Sequence, residues 1–186
     1  MTSPRNRRFA AAALAGLLVL GGCGPGDDAV PSADAPSAAA TATATAGTGE
    51  DADGFTAEER EVINAVKAYH DAILLRGTKS IETTLKGRAT DELFDRIVPE
   101  LKASSEDKGL VFIGTYTLEP EVVTIRGDSA ELRGCLDTTT SALVERGQTE
   151  AGPGAVLGKR SAMKYGLVKV DGVWRVDDPF RTSEAC

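Results

Sequence analysis

The hydrophobic period of the chain changes once, near Gly109, and that change limits the folds open to it. Upstream, apolar residues recur at helical spacing. Val62, Ile63, Val66, Tyr69, Ile73 and Leu74 make one stripe; Leu93, Phe94, Ile97, Val98 and Leu101 make a second. The first opens at Thr56-Ala57-Glu58-Glu59, a capping box in which the Thr hydroxyl and the Glu carboxylate each satisfy a backbone N–H. Gly77 is its expected C-terminal cap. The second starts after Thr90, and Pro99, late in it, is expected to kink or break the helix. Ile81–Leu85 supplies a short helical turn between the two. Downstream the pattern is that of strands. Leu110–Leu118 is β-branched and aromatic, with Pro120 closing it. Glu121–Arg126 and Ser129–Thr138 flank a Gly127-Asp128 turn, and Ser161–Val170 and Val173–Asp177 flank Asp171-Gly172, a favoured two-residue hairpin turn. Helices first and an antiparallel meander after them define an α+β domain. Gly114, Gly134 and Gly166 fall within the strand segments, where glycine permits bends, so the sheet is expected to curve strongly.

The first 54 residues follow other rules. Arg5, Arg7 and Arg8 precede an apolar run from Phe9 to Leu20, and glycine and proline end it: a secretory leader, too short to span a bilayer, which takes roughly 20 residues. Residues 1–22 are read as that leader. Leu20-Gly21-Gly22-Cys23 resembles a bacterial lipobox, which implies cleavage before Cys23 and lipid on its sulfur. Two acyl chains hold a protein stably at a membrane where one does not. Arg7-Arg8-Phe9 is similar to a twin-arginine export motif, with the Phe one place early and no Lys after it, so the export route stays open. From Gly24 to Gly54 there is no aromatic residue, one aliphatic β-branched residue (Val30), three prolines and no Lys or Arg. Such a stretch cannot bury enough surface to offset the entropy of ordering. Residues 23–54 are therefore read as an acidic tether reaching about 30 Å root-mean-square.

Residues 55–186 carry 18 basic and 22 acidic side chains. That mild acidity argues against nucleic acid and against a polybasic grip on anionic lipid, so the membrane contact falls to the N-terminal lipid. Cysteine count comes next. With Cys23 lipidated, Cys135 and Cys186 remain, and an even pair in an exported chain points to one disulfide, two free thiols being the alternative. With Ala130, Leu132, Gly134 and Leu136 on one face of their strand, Cys135 faces the other side. The tail from Pro179 to Cys186 is then expected across the outer face or edge of the sheet. One histidine and no zinc-type cysteine spacing leave no metal set and no cofactor implied.

The N-terminal helices, the late meander and the closing hairpin Val170–Asp178 (VDGVWRVDD) resemble the NTF2-like, cystatin-like α+β cone. More closely, the chain resembles lipoproteins of high-GC Gram-positive bacteria. That resemblance implies a pairing between the cysteine of the strand Gly127–Asp137 (GDSAELRGCLD) and a C-terminal cysteine. Fuller members of the superfamily have an early hairpin between the helices, for which this sequence shows no clear counterpart.

Pocket enzymes of that superfamily use a His, Tyr or Asp as acid or base, which draws attention to His70. Adjacent helical residues point about 100° apart, so Tyr69-His70-Asp71 is not by itself a constellation. His70 falls beside Val66 and Leu74 at the edge of the apolar stripe, the place of a structural histidine. Gly152–Ser161 (GPGAVLGKRS) fails as a phosphate loop, because Arg160 stands where Ser or Thr belongs, and reads as a surface loop. Arg126-Gly127-Asp128 is accounted for as a turn, and Asp177-Asp178 as a strand end without companion calcium ligands. Inward residues of the cone, Tyr69, His70, Phe112, Tyr116, Tyr165 and Trp174, are the candidate pocket, and all are equally candidates for plain core. Two readings follow. One is a surface-displayed module that binds a small ligand or an envelope protein without catalysis; the other is a small isomerase- or cyclase-type pocket enzyme. A roomy cone with a pKa-shifted His or Asp favours the enzyme, and a filled cone favours the module.

Overall fold

The computed structural model describes residues 54–186. The leader, Cys23 and nearly all of the tether lie outside the described residues. Thr56 begins α1 (Ala57–Leu74): its hydroxyl accepts from the Glu59 N–H at 3.3 Å, and Glu59 accepts from the Thr56 N–H at 2.8 Å. Val62, Val66, Tyr69 and Ile73 line its buried face. The helix does not end on Gly77. Leu75 is the cap, its N–H bonded to the Asp71 carbonyl, and Gly77 turns the chain two residues later. The short helix α2 (Ile81–Leu85) falls where the sequence places it. In α3 (Asp91–Ser104), capped by Thr90, Pro99 neither breaks nor ends the helix, which runs five residues beyond it. A 3-10 turn at Glu106–Lys108 leads into the strands.

Among the described residues, seven strands form two antiparallel sheets. The smaller has the order β1-β4-β5, from Leu110–Ile113, Ala142–Glu145 and Val156–Leu157. The larger runs β2-β3-β6-β7, from Thr117–Arg126, Ser129–Asp137, Arg160–Val170 and Val173–Arg181. Both expected hairpins are present, closed by Gly127-Asp128 and Asp171-Gly172. The expected single strand Leu110–Leu118 is two strands belonging to different sheets. The break falls at Gly114, where φ is +89° and a Cβ would stand 2.0 Å from the Thr140 carbonyl oxygen. Pro120 does not close a strand either; it lies inside β2, where Glu121 is an extra residue opposite the β3 ladder. Gly134 faces that bulge, with room for no side chain: a Cβ there would meet the Glu119 oxygen at 2.2 Å. On β7, Asp177 is the extra residue, and its carboxylate accepts from the Thr90 hydroxyl at 2.8 Å, tying the sheet to the cap of α3. Both outer strands of the larger sheet thus carry a proline and a bulge, Pro120 and Glu121 in β2 and Pro179 and Asp177 in β7. Bulges tighten twist and bend a sheet, which gives this one its curvature.

The helices pack against the larger sheet, α1 on β2, β3 and β7 and α3 on β7. Between them lies one apolar core that includes Val62, Val66, Leu93, Leu132, Leu167 and Val176. Between the helices, in place of a hairpin, Ala89 makes an isolated parallel bridge to Val176 at the edge of β7. The tail also departs from expectation. Pro179–Arg181 are the end of β7, and only the residues beyond cross the outer face. Thr182 N–H bonds to the Ala162 carbonyl at 3.0 Å, and the chain then folds back over β6 to a disulfide between Cys186 and Cys135, Cα atoms 5.7 Å apart. Cys135 and Ala162 are register partners on that outer face; both are buried, and neither belongs to the core cluster.

Candidate functional site

Helix α1 points His70 at the middle of β6, where Tyr165 is fully buried. His70 Nε2 lies 2.8 Å from the Tyr165 hydroxyl, with the two rings nearly perpendicular at 5.5 Å. Tyr69 meets the imidazole edge-on at 5.3 Å, and Tyr116 tilts against it at 5.6 Å. The Tyr116 hydroxyl, in turn, is 2.7 Å from Asp71 Oδ1 and 2.9 Å from the Lys67 carbonyl. Four of the six candidate residues, Tyr69, His70, Tyr116 and Tyr165, therefore meet around one imidazole. Phe112 and Trp174 do not join them. Phe112 is half-buried on β1 of the smaller sheet, and Trp174 belongs to the β6–β7 hairpin, with Lys169 Nζ 5.0 Å above its ring.

Burial sets the electrostatics of the cluster. Desolvation lowers the His70 pKa to about 4, against a smaller opposing pull from Asp71, so the ring is neutral at pH 7. Burial also raises the Tyr69 pKa to about 12 and pushes Tyr116 and Tyr165 above the ordinary phenol value, Tyr116 with help from its hydrogen bond to Asp71. The imidazole tautomer sets which of the two groups donates in this bond, and in either case Nε2 is engaged by the Tyr165 hydroxyl. A general base needs a free nitrogen within reach of a substrate proton. Here that nitrogen is already hydrogen-bonded inside the core.

The clefts of the surface lie elsewhere. One of about 380 Å³ runs between α1 (Glu61, Asn64, Ala65, Ala68), Gly87-Arg88 and the hairpin residues Gly172, Val173 and Trp174. Another of about 400 Å³ lies between α2 and α3, floored by Phe94, Val98 and Pro99. Three others, of about 270 to 380 Å³, flank the β2–β3 hairpin and the smaller sheet. Of the six candidate residues, Trp174 alone lines any of these five. Among the described residues, no three His, Cys, Asp or Glu side chains gather as a metal set, and no helix is long and apolar enough to cross a membrane. The contact of Tyr116 with His70 and Asp71 was not foreseen, because Tyr116 lies 45 residues from Asp71 in sequence. Nor was the Gly87-Arg88 wall of the Trp174 cleft; no local signal marks either.

Helices packed on curved antiparallel sheets, closed over a buried Tyr–His cluster, define an α+β domain of the cone type. No family model and no curated protein matches the chain. Solved structures do. The intermembrane space region of the chloroplast protein ARC6 aligns with 68% of this chain and 97% of its own, at TM-score 0.50 and 16% identity. An NTF2-like protein of unknown function from Shewanella oneidensis aligns with 65% of this chain and 99% of its own, at 0.43 and 12%. A cystatin-like protein of unknown function from Nostoc punctiforme aligns with 70% and 96%, at 0.43 and 11%. These likenesses concern the fold.

Proposed function

We propose that the chain is an exported lipoprotein, held at the outer face of the cell membrane through lipid on Cys23, whose α+β domain binds a small ligand or an envelope protein without catalysis. The observation that supports the non-catalytic part is His70 itself. Its Nε2 is bonded to a fully buried tyrosine, and aromatic rings fill the space a substrate needs. The lipid part rests on the leader and on Leu20-Gly21-Gly22-Cys23. A pocket enzyme remains the rival reading, favoured by one feature, a buried imidazole of depressed pKa.

Two measurements separate the readings. Hydrogen–deuterium exchange at the His70 imidazole C2, followed by mass spectrometry, is expected to run at least about tenfold slower than in an exposed histidine. Exchange at the exposed rate means an open cone and restores the enzyme. For the anchor, the wild type is expected in the detergent phase with the mass of an added diacylglyceryl group, and Cys23→Ser in the aqueous phase. A Cys23→Ser chain that stays with the membrane at unchanged mass overturns the lipid assignment.

A further inference from the structure

The exposed edge of β7 is closed at its middle. Val176 turns its N–H and C=O outward, and both are taken, by the Arg88 carbonyl at 3.0 Å and the Thr90 N–H at 2.8 Å. Pro179 has no N–H to offer. Trp174, nearer the turn, has neither closure. In an antiparallel pair, residues alternate between exchanging hydrogen bonds and facing away. Val170 and Val173 close the two-residue turn, so the next pair, Lys169 and Trp174, is of the outward-facing kind; the Lys169 N–H indeed bonds to Asp128 on the far side, at 2.8 Å. The Trp174 N–H and C=O therefore point away from β6, toward the chain at Gly87-Arg88. The parallel ladder begun at Ala89 does not reach them. A further rung needs the Arg88 N–H, which bonds instead to the Leu85 carbonyl at 3.0 Å as the chain turns at Gly87. The indole of the same residue is buried, and its Nε1–H has no acceptor. Three polar groups of one residue thus lack partners, and the cleft of about 380 Å³ lined by Trp174, Gly87, Arg88 and α1 lies at that place.

We infer that this cleft takes an extended peptide segment of a partner protein, which adds to β7 as the missing rung. A main chain presents a donor and an acceptor to match those that Trp174 leaves open, and strand addition to a free sheet edge is an established mode of peptide capture. The floor suits a close-lying backbone, since Ala65, Ala68, Gly87 and Gly172 carry little side chain. Val173, half exposed at the rim, supplies apolar contact, while Glu61 and Arg88 offer one charge of each sign. A cleft of this size falls within the range of about 300–1,000 Å³ typical of ligand sites. The inference rests on the binding-module reading of the domain and is independent of the lipid anchor.

The test is a random heptapeptide library displayed on phage, panned against the full chain and against its Ala68→Arg and Val173→Arg variants. Val173 is exposed, so its replacement leaves the core untouched; thermal melts verify folding of both. Enriched peptides are expected to lose at least about tenfold in affinity on either variant. They are also expected to lose binding when the peptide bond at the rung is N-methylated, and to shift the indole N–H resonance of Trp174, the single tryptophan. Peptides that bind both variants as well as the wild type place capture elsewhere, which overturns this site and leaves the module reading standing. Failure to enrich any peptide overturns peptide capture. Conversion of a bound peptide into a new product, seen by mass, overturns the module reading itself.

Discussion

An imidazole that sheds its charge to be buried makes folding depend on pH in one direction. The His70 pKa is about 4 in the folded chain against 6.5 for the ordinary group. Above 6.5 both states hold the ring neutral, and the group adds no pH dependence. As pH falls through 6.5, the unfolded chain takes up the proton first, so stability declines until about pH 4, by roughly 3 kcal/mol at most. Urea unfolding at pH 7 and pH 4 is expected to show a decline that is smaller by about that amount in His70→Gln; an equal decline in both proteins means that the ring is not buried neutral. Some of this was legible in the sequence, because Val66, His70 and Leu74 share a helical row that must lie near the core. The partner was not legible: Tyr165 lies 95 residues away, and nothing local marks which strand residue will face a given turn of helix. The same holds for Tyr116, whose ring tilts against His70 while its hydroxyl bonds to Asp71 and to the Lys67 carbonyl.

At the scale of elements, the sequence was read best where turn chemistry and period agree. Asp171-Gly172 takes positive φ at both positions, 53° and 78°, as the tight turn requires, and the flanking strands are those expected. The readings failed where tertiary contact overrode a local rule. Pro99 lacks the N–H that would bond to Asp95, yet α3 passes through it, because Leu93 and Val98 are buried before it, Leu101 packs against the core after it, and the proline itself is exposed. Pro99→Ala is therefore expected to raise stability by about 1 to 3 kcal/mol, read from urea midpoints. A decrease means that Pro99 makes a contact worth more than the helix bond it forgoes. The short strands β4 and β5 were missed for a different reason. Ala142–Glu145 and Val156–Leu157 are too short to show a period, and each is held by a partner distant in sequence, β4 by β1 and β5 by β4.

For the molecule as a whole, the disulfide is the longest-range covalent constraint, joining residues 51 apart. In the chain-entropy account, closing a loop of that length stabilises the fold by about 4 kcal/mol. Cys135→Ser is expected to lower unfolding stability by about that amount and to free the tail, so that the amide of Thr182, bonded to Ala162 in the intact protein, exchanges with solvent. Unchanged stability together with a protected Thr182 amide means that the tail is held by packing alone. The bond also accounts for Ala162, a small residue on an outer face that the crossing chain covers. The two outer strands of the larger sheet have a consequence of their own. Copies of a protein fixed to a surface, as proposed for this one, move in a plane and collide far more often than the same number in free solution. Under such crowding, any straight, unpaired strand is an invitation to polymerise. Pro120 and Glu121 on one side, and Pro179 and Asp177 on the other, bend both margins and remove donors from them, while the inner strands β3 and β6 carry no proline. Both margins of the larger sheet are thereby poor templates for a straight strand of a second copy, so dense display does not join these sheets edge to edge.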